Sequence, residues 1–396
     1  MTYPSLKLKK NEDRRIRAGH LWVFSNEVDT QQTPLTAFNA GEIVTVVSAG
    51  GRPLGNAYIN PQSLICARLY SRDPRRHLDI SLIRKRLSQA LALREKRYAQ
   101  PFYRLVYGEG DLLPGLVIDR FDNTLVMQTT TLGMDQRQQL ILDTLEEELQ
   151  PETIILNNST TTRKLEGLKM FTDVIKGEAG ESLTVTENNV SFMFPALTGQ
   201  KTGWFYDHRD NRLAMTRWAN QARVLDVFSY VGGWAIQAAL AGASEVMTIE
   251  SSARANEFLR TNAKHNNVSD KVSIVEADAF EALTQLKQDH ETFDLIVLDP
   301  PAFIKRKKDL KQGIAAYQRL AKLAMVLLNP NGILISASCS YHLSRDQHLK
   351  TLREAAGQCG RQLQILAEGQ AGPDHPRHPA IPETAYLSCF TGRLID

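Results

Sequence analysis

"RVLDVFSYVGGWAIQAALAGASEVMTIESS", residues 223–252, is the stretch whose reading decides the fold. Its apolar, β-branched start reads as a strand over 223–227, which carries Asp226 and turns through Phe228, Ser229 and Tyr230 to the pair Gly232-Gly233. A helix starts near Trp234, and a second strand over 245–249 delivers Glu250, 18 residues past Gly232. An open α/β sheet binds its ligand beyond the carboxyl ends of its strands, where glycine lets the backbone approach and an acid grips ribose hydroxyls. Only an adjacent glycine pair is present, and no G-x-G-x-x-G turn is complete to cradle a pyrophosphate. A phosphate-free cofactor, S-adenosylmethionine, therefore fits better than a dinucleotide.

Outward from this stretch the alternation continues, with strands predicted at 272–276, 294–298 and 332–338 and helices between them, the pattern of a doubly wound α/β sheet. In "EADAF", Asp278 with Ala279 falls at a strand end, where an adenine amino group could be recognised. "DLIVLDPPAFIKRK" (294–307) ends its strand in Asp299-Pro300-Pro301. A rigid Pro-Pro turn can hold a planar base against Phe303 while Asp299 hydrogen-bonds its edge; the plain alternative is a turn and nothing more. "ILISASCSYHLS" (333–344) then places Cys339 at the end of the following strand. Free cysteine is often a small buried hydrophobe. Cys339, however, should open onto the same crevice as Asp299, whereas Cys66, Cys359 and Cys389 read as packing residues.

Upstream, residues 1–72 look β-rich: "EIVTVVSAGGRPLGNAYIN" gives two strands about a Gly-Gly turn, and "LICARLY" a third. Ahead of them "LKKNEDRRIRAGHLWVF" sets Lys9, Lys10, Arg14, Arg15, Arg17 and His20 (if protonated) beside Trp22 and Phe24. Cations meet phosphates and rings stack on unpaired bases, so this segment suits RNA; Trp22 and Phe24 fit the core of a strand as well. "SRDPRRH" (71–77) reads as a linker. A helix in "DISLIRKRLSQALALREKRYA" (79–99), strands around two turns at 108–115, a helix near 135–149 and strands at 153–157, 170–175 and 190–194 form a middle unit. The expected domains are thus 1–72, 73–195 and 196–396.

A chain of 396 residues suggests two or three domains. Residues 1–100 hold 17 Lys and Arg against 8 Asp and Glu; with a net charge of +3 for the whole chain, the remainder is acidic. A basic amino-terminal part suits a phosphate-rich partner. Four scattered cysteines with no C-x-x-C spacing argue against a disulfide framework and against zinc, and no metal is expected. No signal-like start and no apolar run of about 18 residues is present, so a cytoplasmic protein without membrane partners is expected. Monomer or homodimer is left open.

"QKTGWFYDHRDNR" (200–212), "LDVFSYVGGW", "LDPPAF" and "SASCS", in this order, resemble the bacterial large-subunit ribosomal RNA cytosine-C5 methyltransferases, as do "GEGDLLPGLVIDRF" (108–121) and "DHP…IPETAYL" (374–387). The resemblance implies an amino-terminal PUA RNA-binding domain, a small central α/β domain and a carboxyl-terminal Rossmann-like class I methyltransferase sheet. It also implies S-adenosylmethionine as cofactor and 23S ribosomal RNA, or a large-subunit precursor, as partner. By this resemblance Phe205, Asp207 and Arg209 lie near the cofactor with Asp226, Phe228, Tyr230, Gly232, Gly233, Glu250, Asp278, Ala279, Asp299 and Pro300. Cytosine C5 is a poor nucleophile, and a thiolate adding to C6 makes it an enamine carbon; Cys339 and Asp299 are the implied catalytic pair. Asp207, Asp210 and His342 are candidates for removing the C5 proton. Relatives with the same core methylate guanine N7, which needs no covalent step. A non-catalytic RNA-binding assembly factor is a third reading, opposed by the intact Asp226, Gly232, Gly233 and Glu250.

Overall fold

The computed structural model describes residues 3–395, and the chain divides into two compact units. The first comprises residues 1–181, 196–204 and 373–384; the second comprises 182–195, 205–372 and 385–396.

In the first unit, β1 (Ser5–Lys7), α1 (Arg14–Arg17), β2 (Trp22–Phe24), β3 (Ile43–Val47), β4 (Pro53–Ile59) and β5 (Ile65–Ser71) form a five-stranded sheet of order β1-β3-β4-β5-β2. The three strands read from the sequence are β3, β4 and β5, with Gly51 at φ +81° in the turn between the first two. Then follow α2 (Ile80–Arg97), capped by the Asp79 side chain on the Leu82 amide at 2.9 Å, and β6 (Phe102–Tyr107), β7 (Leu116–Phe121), β8 (Thr124–Thr129), α3 (Leu132–Asp135), α4 (Gln138–Leu149), β9 (Thr153–Asn158), α5 (Thr162–Leu165) and β10 (Phe171–Lys176). Their strands make a second sheet, β10-β9-β8-β7-β6, in which only β8 and β9 run parallel.

Two quoted motifs of this unit are structural. The Arg94 side chain, fully buried, pairs with both carboxylate oxygens of Asp111 at 2.7 Å each and donates to the carbonyls of Arg104 and Asp374. Asp111 comes from "GEGD" and Asp374 from "DHP". The amino-terminal aromatics are partly committed too. The Trp22 indole donates to Glu109 at 2.7 Å, and the Arg15 guanidinium, paired with Glu27, lies over the Phe24 ring. His20 is not one of the cations: burial and the nearby Arg15 charge push it below the ordinary histidine value. Lys10 and Arg14 remain exposed.

The second unit begins with a hairpin, β11 (Ser182–Glu187) and β12 (Val190–Pro195), followed by α6 (Arg209–Met215). The alternation then runs β13 (Arg223–Val227), α7 (Gly233–Leu240), β14 (Glu245–Ile249), α8 (Ala253–His265), β15 (Val272–Val275), α9 (Ala279–Gln288), β16 (Phe293–Leu298), α10 (Leu310–Leu327), β17 (Leu328–Ser338), α11 (Arg345–Gln358), β18 (Gln362–Gly369) and β19 (Ser388–Ile395). The sheet order is β15-β14-β13-β16-β17-β19-β18. The five strands expected from the sequence are parallel neighbours. The structure adds two: β19 runs antiparallel to β17 and pairs antiparallel with β18 at the edge. β13 and β16, adjacent at the centre, lead their connections to opposite sides, which makes the cleft beyond their carboxyl ends the topological switch point. Side-chain caps start α8 (Ser252), α9 (Asp278) and α11 (Ser344).

The sequence analysis placed a strand at 190–194 in the middle unit. In the structure that strand packs with the second unit, because Asn262 of α8 and Asn266, which caps its carboxyl end, satisfy its backbone. Asn262 exchanges hydrogen bonds with both the amide and the carbonyl of Met193, at 2.7 and 2.9 Å, and Asn266 donates to the carbonyl of Ser191. The core between sheet and helices is apolar, built from Leu225, Ile249, Leu283, Phe293, Ile296, Leu334 and Phe390 among others.

Candidate active site

All the acids that matter stand at strand ends of the second unit, where the backbone turns sharply. After β13 the chain takes positive φ at Phe228 (+67°), Tyr230 (+51°) and Gly232 (+91°). Two non-glycine residues held left-handed within three positions are strained, and such strain collects at ligand sites. A Cβ on Gly232 would also stand 3.1 Å from Ile236 Cγ1 and Leu259 Cγ, a tight fit that adds to the preference for glycine set by φ.

This turn organises Glu250. One of its carboxylate oxygens accepts from the Tyr230 amide at 3.0 Å and the other from the Ser252 amide at 2.8 Å. With one lone pair on each oxygen engaged, the carboxylate is fixed and keeps acceptor capacity for a diol. Asp226 is fully buried; Oδ2 accepts from the Ala235 amide at 3.1 Å, while Oδ1 has no hydrogen-bond partner among the described residues. Burial first, and the like charge of Asp299 second, push its carboxyl up to about 8. A buried acceptor left without a donor fits a cationic, hydrogen-bonding group, and S-adenosylmethionine brings both an ammonium and a sulfonium. Asp226, the Phe228–Gly233 turn and Glu250 could thus hold that cofactor. Asp278 is exposed and spends Oδ1 on the Phe280 and Glu281 amides as the cap of α9, with buried Ala279 beside it.

The residues expected from "FYDHR" divide. The Phe205 ring meets the Tyr230 ring edge-on at 5.6 Å, beside the glycine turn. Arg209 and Asp207 are buried instead. The Arg209 guanidinium lies over the Tyr206 ring, 3.8 Å from a Glu187 carboxylate oxygen, and Asp207 accepts from the Tyr386 hydroxyl. Glu187 is also held by Arg212 at 2.6 Å and by Gln237, forming a buried polar base under α6 and α7.

On the other side of the crevice, Asp299 follows β16 and engages two residues that the sequence analysis passed over. His208 Nε2 stands 3.2 Å from Oδ1, and the Trp234 indole donates to Oδ2 at 3.0 Å. Burial would raise the Asp299 carboxyl, but the His208 charge and the hydrogen bonds from His208 and Trp234 outweigh it and hold it below the usual carboxylate range. Cys339 is half-buried just past β17, its Sγ 3.9 Å from the carbonyl of Pro300. Its flanking serines are pinned: Ser338 donates to the Tyr317 hydroxyl at 3.0 Å, and Ser340 bonds both that hydroxyl (2.9 Å) and the Ile304 amide (3.2 Å). The thiol and the Asp-Pro-Pro turn therefore form one fixed corner. Phe303, expected as a platform for a base, is half-buried. It packs among Tyr317, Phe280 and Phe228, with centroids at 4.8, 6.2 and 6.4 Å.

The other cysteines stand apart from this corner or deep in the core. Cys66 lies buried in β5, where desolvation pushes its thiol up to about 12; Cys359 caps the far end of α11; Cys389 is buried in β19 and also pushed up by desolvation. Asp210 sits half-buried in the first turn of α6, and His342 is half-buried beside Tyr341. No signal in the spacing could single out Tyr317 or Tyr386, whose partners lie 21 or more positions away; His208 and Trp234 were visible only as neighbours of Asp207 and Gly233.

A family profile described as a PUA-like domain matches residues 6–72, and one described as an S-adenosylmethionine-dependent methyltransferase matches residues 166–376. The chain is 34% identical over 391 residues to the Ribosomal RNA large subunit methyltransferase I of Cronobacter sakazakii, covering 97% of this chain and 98% of that one. It is also 34% identical over 396 residues to the protein of the same name from Escherichia coli, covering 98% and 99%. In fold it resembles a SAM-dependent methyltransferase from Streptococcus mutans, with a TM-score of 0.84, 20% identity, and coverage of 98% of this chain and 100% of that one. Among the described residues no helix is long and apolar enough to cross a membrane.

Proposed function

The chain belongs to the ribosomal RNA large subunit methyltransferase I family and is an S-adenosylmethionine-dependent methyltransferase, and on that premise we propose that it methylates C5 of a cytosine in large-subunit (23S) ribosomal RNA through a covalent adduct of Cys339. The observation that carries this reading is the corner described above: a half-exposed thiol beside Pro300 at the carboxyl edge of the sheet, next to a carboxylate that ends the neighbouring strand. Guanine N7 already has a lone pair and would need no thiol there.

Asp226, the 228–233 turn and Glu250 would hold the cofactor, which when bound would supply an electrophilic methyl group; Asp226, ionised, would face its positive charge and Glu250 would accept from the ribose diol. Cys339 Sγ, as thiolate, adds to C6 of the base and moves the C5–C6 π electrons into an enamine whose charge spreads toward N3. Asp299 accepts from the N4 amino group of the base and holds the ring in register with Cys339. After methylation a base takes the C5 proton, the electrons re-form the C5–C6 bond, and the thiolate leaves. The exposed cations Lys10 and Arg14 of the PUA-like region contact RNA phosphates.

The test is Cys339→Ala, assayed on large-subunit RNA with the methylated nucleotide identified by mass spectrometry. We expect transfer to fall by about a thousandfold or more, some 4 kcal/mol of barrier, with cofactor affinity unchanged. Retained transfer, or a methyl group found on guanine N7, would overturn the reading.

A further inference from the structure

His208 is unused by the reaction as set out, yet it is among the most buried polar groups of the site. Its side chain is 3% exposed, and its ring lies against the Trp234 ring at 5.3 Å, with Nδ1 3.2 Å from the side-chain amide nitrogen of Asn211. His208 and Trp234 approach Asp299 together, one to each carboxylate oxygen, and the Asp299 side chain above them remains 21% exposed. A carboxylate offers about four lone-pair sites, so these two donors use one on each oxygen and leave the rest for a ligand. The terminal torsion of an aspartate is broad and roughly two-fold, so nothing intrinsic to the side chain would fix its plane.

We propose that His208 is a positioning residue for the methyl-transfer reaction: with Trp234 it grips both oxygens of Asp299 from the buried side, so that the exposed edge meets the substrate base in one orientation. This rests on the reading of Asp299 as the group that contacts the base. The spacing "DHR" on one motif and "LDPP" on another gives no hint of the pairing, because the two residues are 91 positions apart.

The charges around the pair give it a pH dependence. Burial would lower His208, but the Asp299 charge and hydrogen bond, with Asp207 in support, raise it above the ordinary 6.5 against the opposing charge of Arg212 on α6. Asp226 on β13 adds a like charge on the other side of Asp299. Each group of the pair thus favours the other's charge, His208 being raised and Asp299 lowered. When His208 loses its proton at higher pH, Asp299 is left as an unbacked anion facing Asp207 and Asp226, and its grip on one oxygen weakens.

The experiment is single-turnover methylation of large-subunit RNA at saturating cofactor, followed from about pH 6 to pH 9.5 in wild type, His208→Gln and His208→Ala. Glutamine can present an uncharged donor to Asp299 and does not titrate. We expect the alkaline fall of the wild-type rate to vanish in His208→Gln, on a plateau about tenfold lower, and His208→Ala to be about a hundredfold lower. Cofactor affinity should stay within about twofold in both. A His208→Gln profile that superimposes on wild type in rate and shape overturns the proposal. Imidazole NMR of the cofactor-bound protein reads the pair without RNA: His208 should titrate above 6.5 in wild type and drop in Asp299→Asn, and no drop overturns the proposal. Wild-type protein inert on large-subunit RNA would refute the reaction instead, and the NMR comparison then decides the role of His208 by itself.

Discussion

Arg94 in the first unit and Asp226 in the second are both fully buried ionisable side chains, and their surroundings could hardly differ more. Arg94 has a carboxylate matched oxygen for nitrogen and two further carbonyls. Asp226 has one backbone amide, a bare second oxygen, and a second acid nearby that makes its charge worse. A buried charge with every partner supplied is architecture; a buried charge left wanting is a place for something else to bind. The contrast separates two kinds of quoted motif. "GEGD" and "DHP" close a structural knot, whereas "LDVFSYVGGW" and "LDPPAF" keep capacity in reserve.

The sharpest way to break this contrast is to remove Arg94. Arg94→Met strands the Asp111 carboxylate and should lower the stability of the first unit by about 3–5 kcal/mol in urea titration. The double variant Arg94→Met/Asp111→Leu should recover much of that loss; a single variant as stable as wild type would make the knot ornamental. Asp226→Asn should do the reverse. Its affinity for S-adenosylmethionine, measured by calorimetry, should fall about a hundredfold, roughly 2.7 kcal/mol, while the cofactor-free protein becomes more stable.

The sign of that gain follows from linkage. The folded Asp226 carboxyl sits at about 8 against an ordinary 3.8, so the folded state binds a proton that the unfolded state releases. The stability this contributes is present at low pH and is lost as pH rises from about 4 to about 8. Thermal melts of cofactor-free wild type should therefore decline across that window, and those of Asp226→Asn should decline less, a difference on the order of a few kcal/mol at most. Smaller again is Glu250→Gln, which keeps one acceptor and should cost about tenfold in cofactor affinity. The smallest expected effect is at the exposed cations: Lys10→Ala or Arg14→Ala should weaken RNA binding only severalfold and reduce the slope of log affinity against log salt by about one each.

Much of the second unit was readable because its signals are local. A strand that must bury both faces is a run of apolar β-branched residues, so the limits of β13, β14 and β16 could be placed within a residue. Once they are parallel neighbours, anything that follows them must collect at one edge, which brings Asp226, Glu250, Asp299 and Cys339 to a common crevice. What failed was non-local. Strands β18 and β19 come after the alternation ends, and nothing in "LSCF" announces that β19 inserts antiparallel between β17 and β18. Hairpin β11–β12 reads as a continuation of the middle strands until Asn262 and Asn266 supply its hydrogen bonds.

By itself, then, the sequence determined the secondary-structure alternation, the edge at which the candidate site sits and the acids that end its strands, because those follow from periodicity and from residues a few positions apart. Only the tertiary structure decided which of those groups are spent and which are held ready. Arg209 is buried against the Tyr206 ring, half-buried Phe303 packs among other aromatics, and His208, read as one more polar residue in a motif, grips Asp299. The physical reason is that a hydrogen-bond inventory closes in space, between side chains tens to hundreds of positions apart, and a one-dimensional pattern carries donors and acceptors without saying which of them meet.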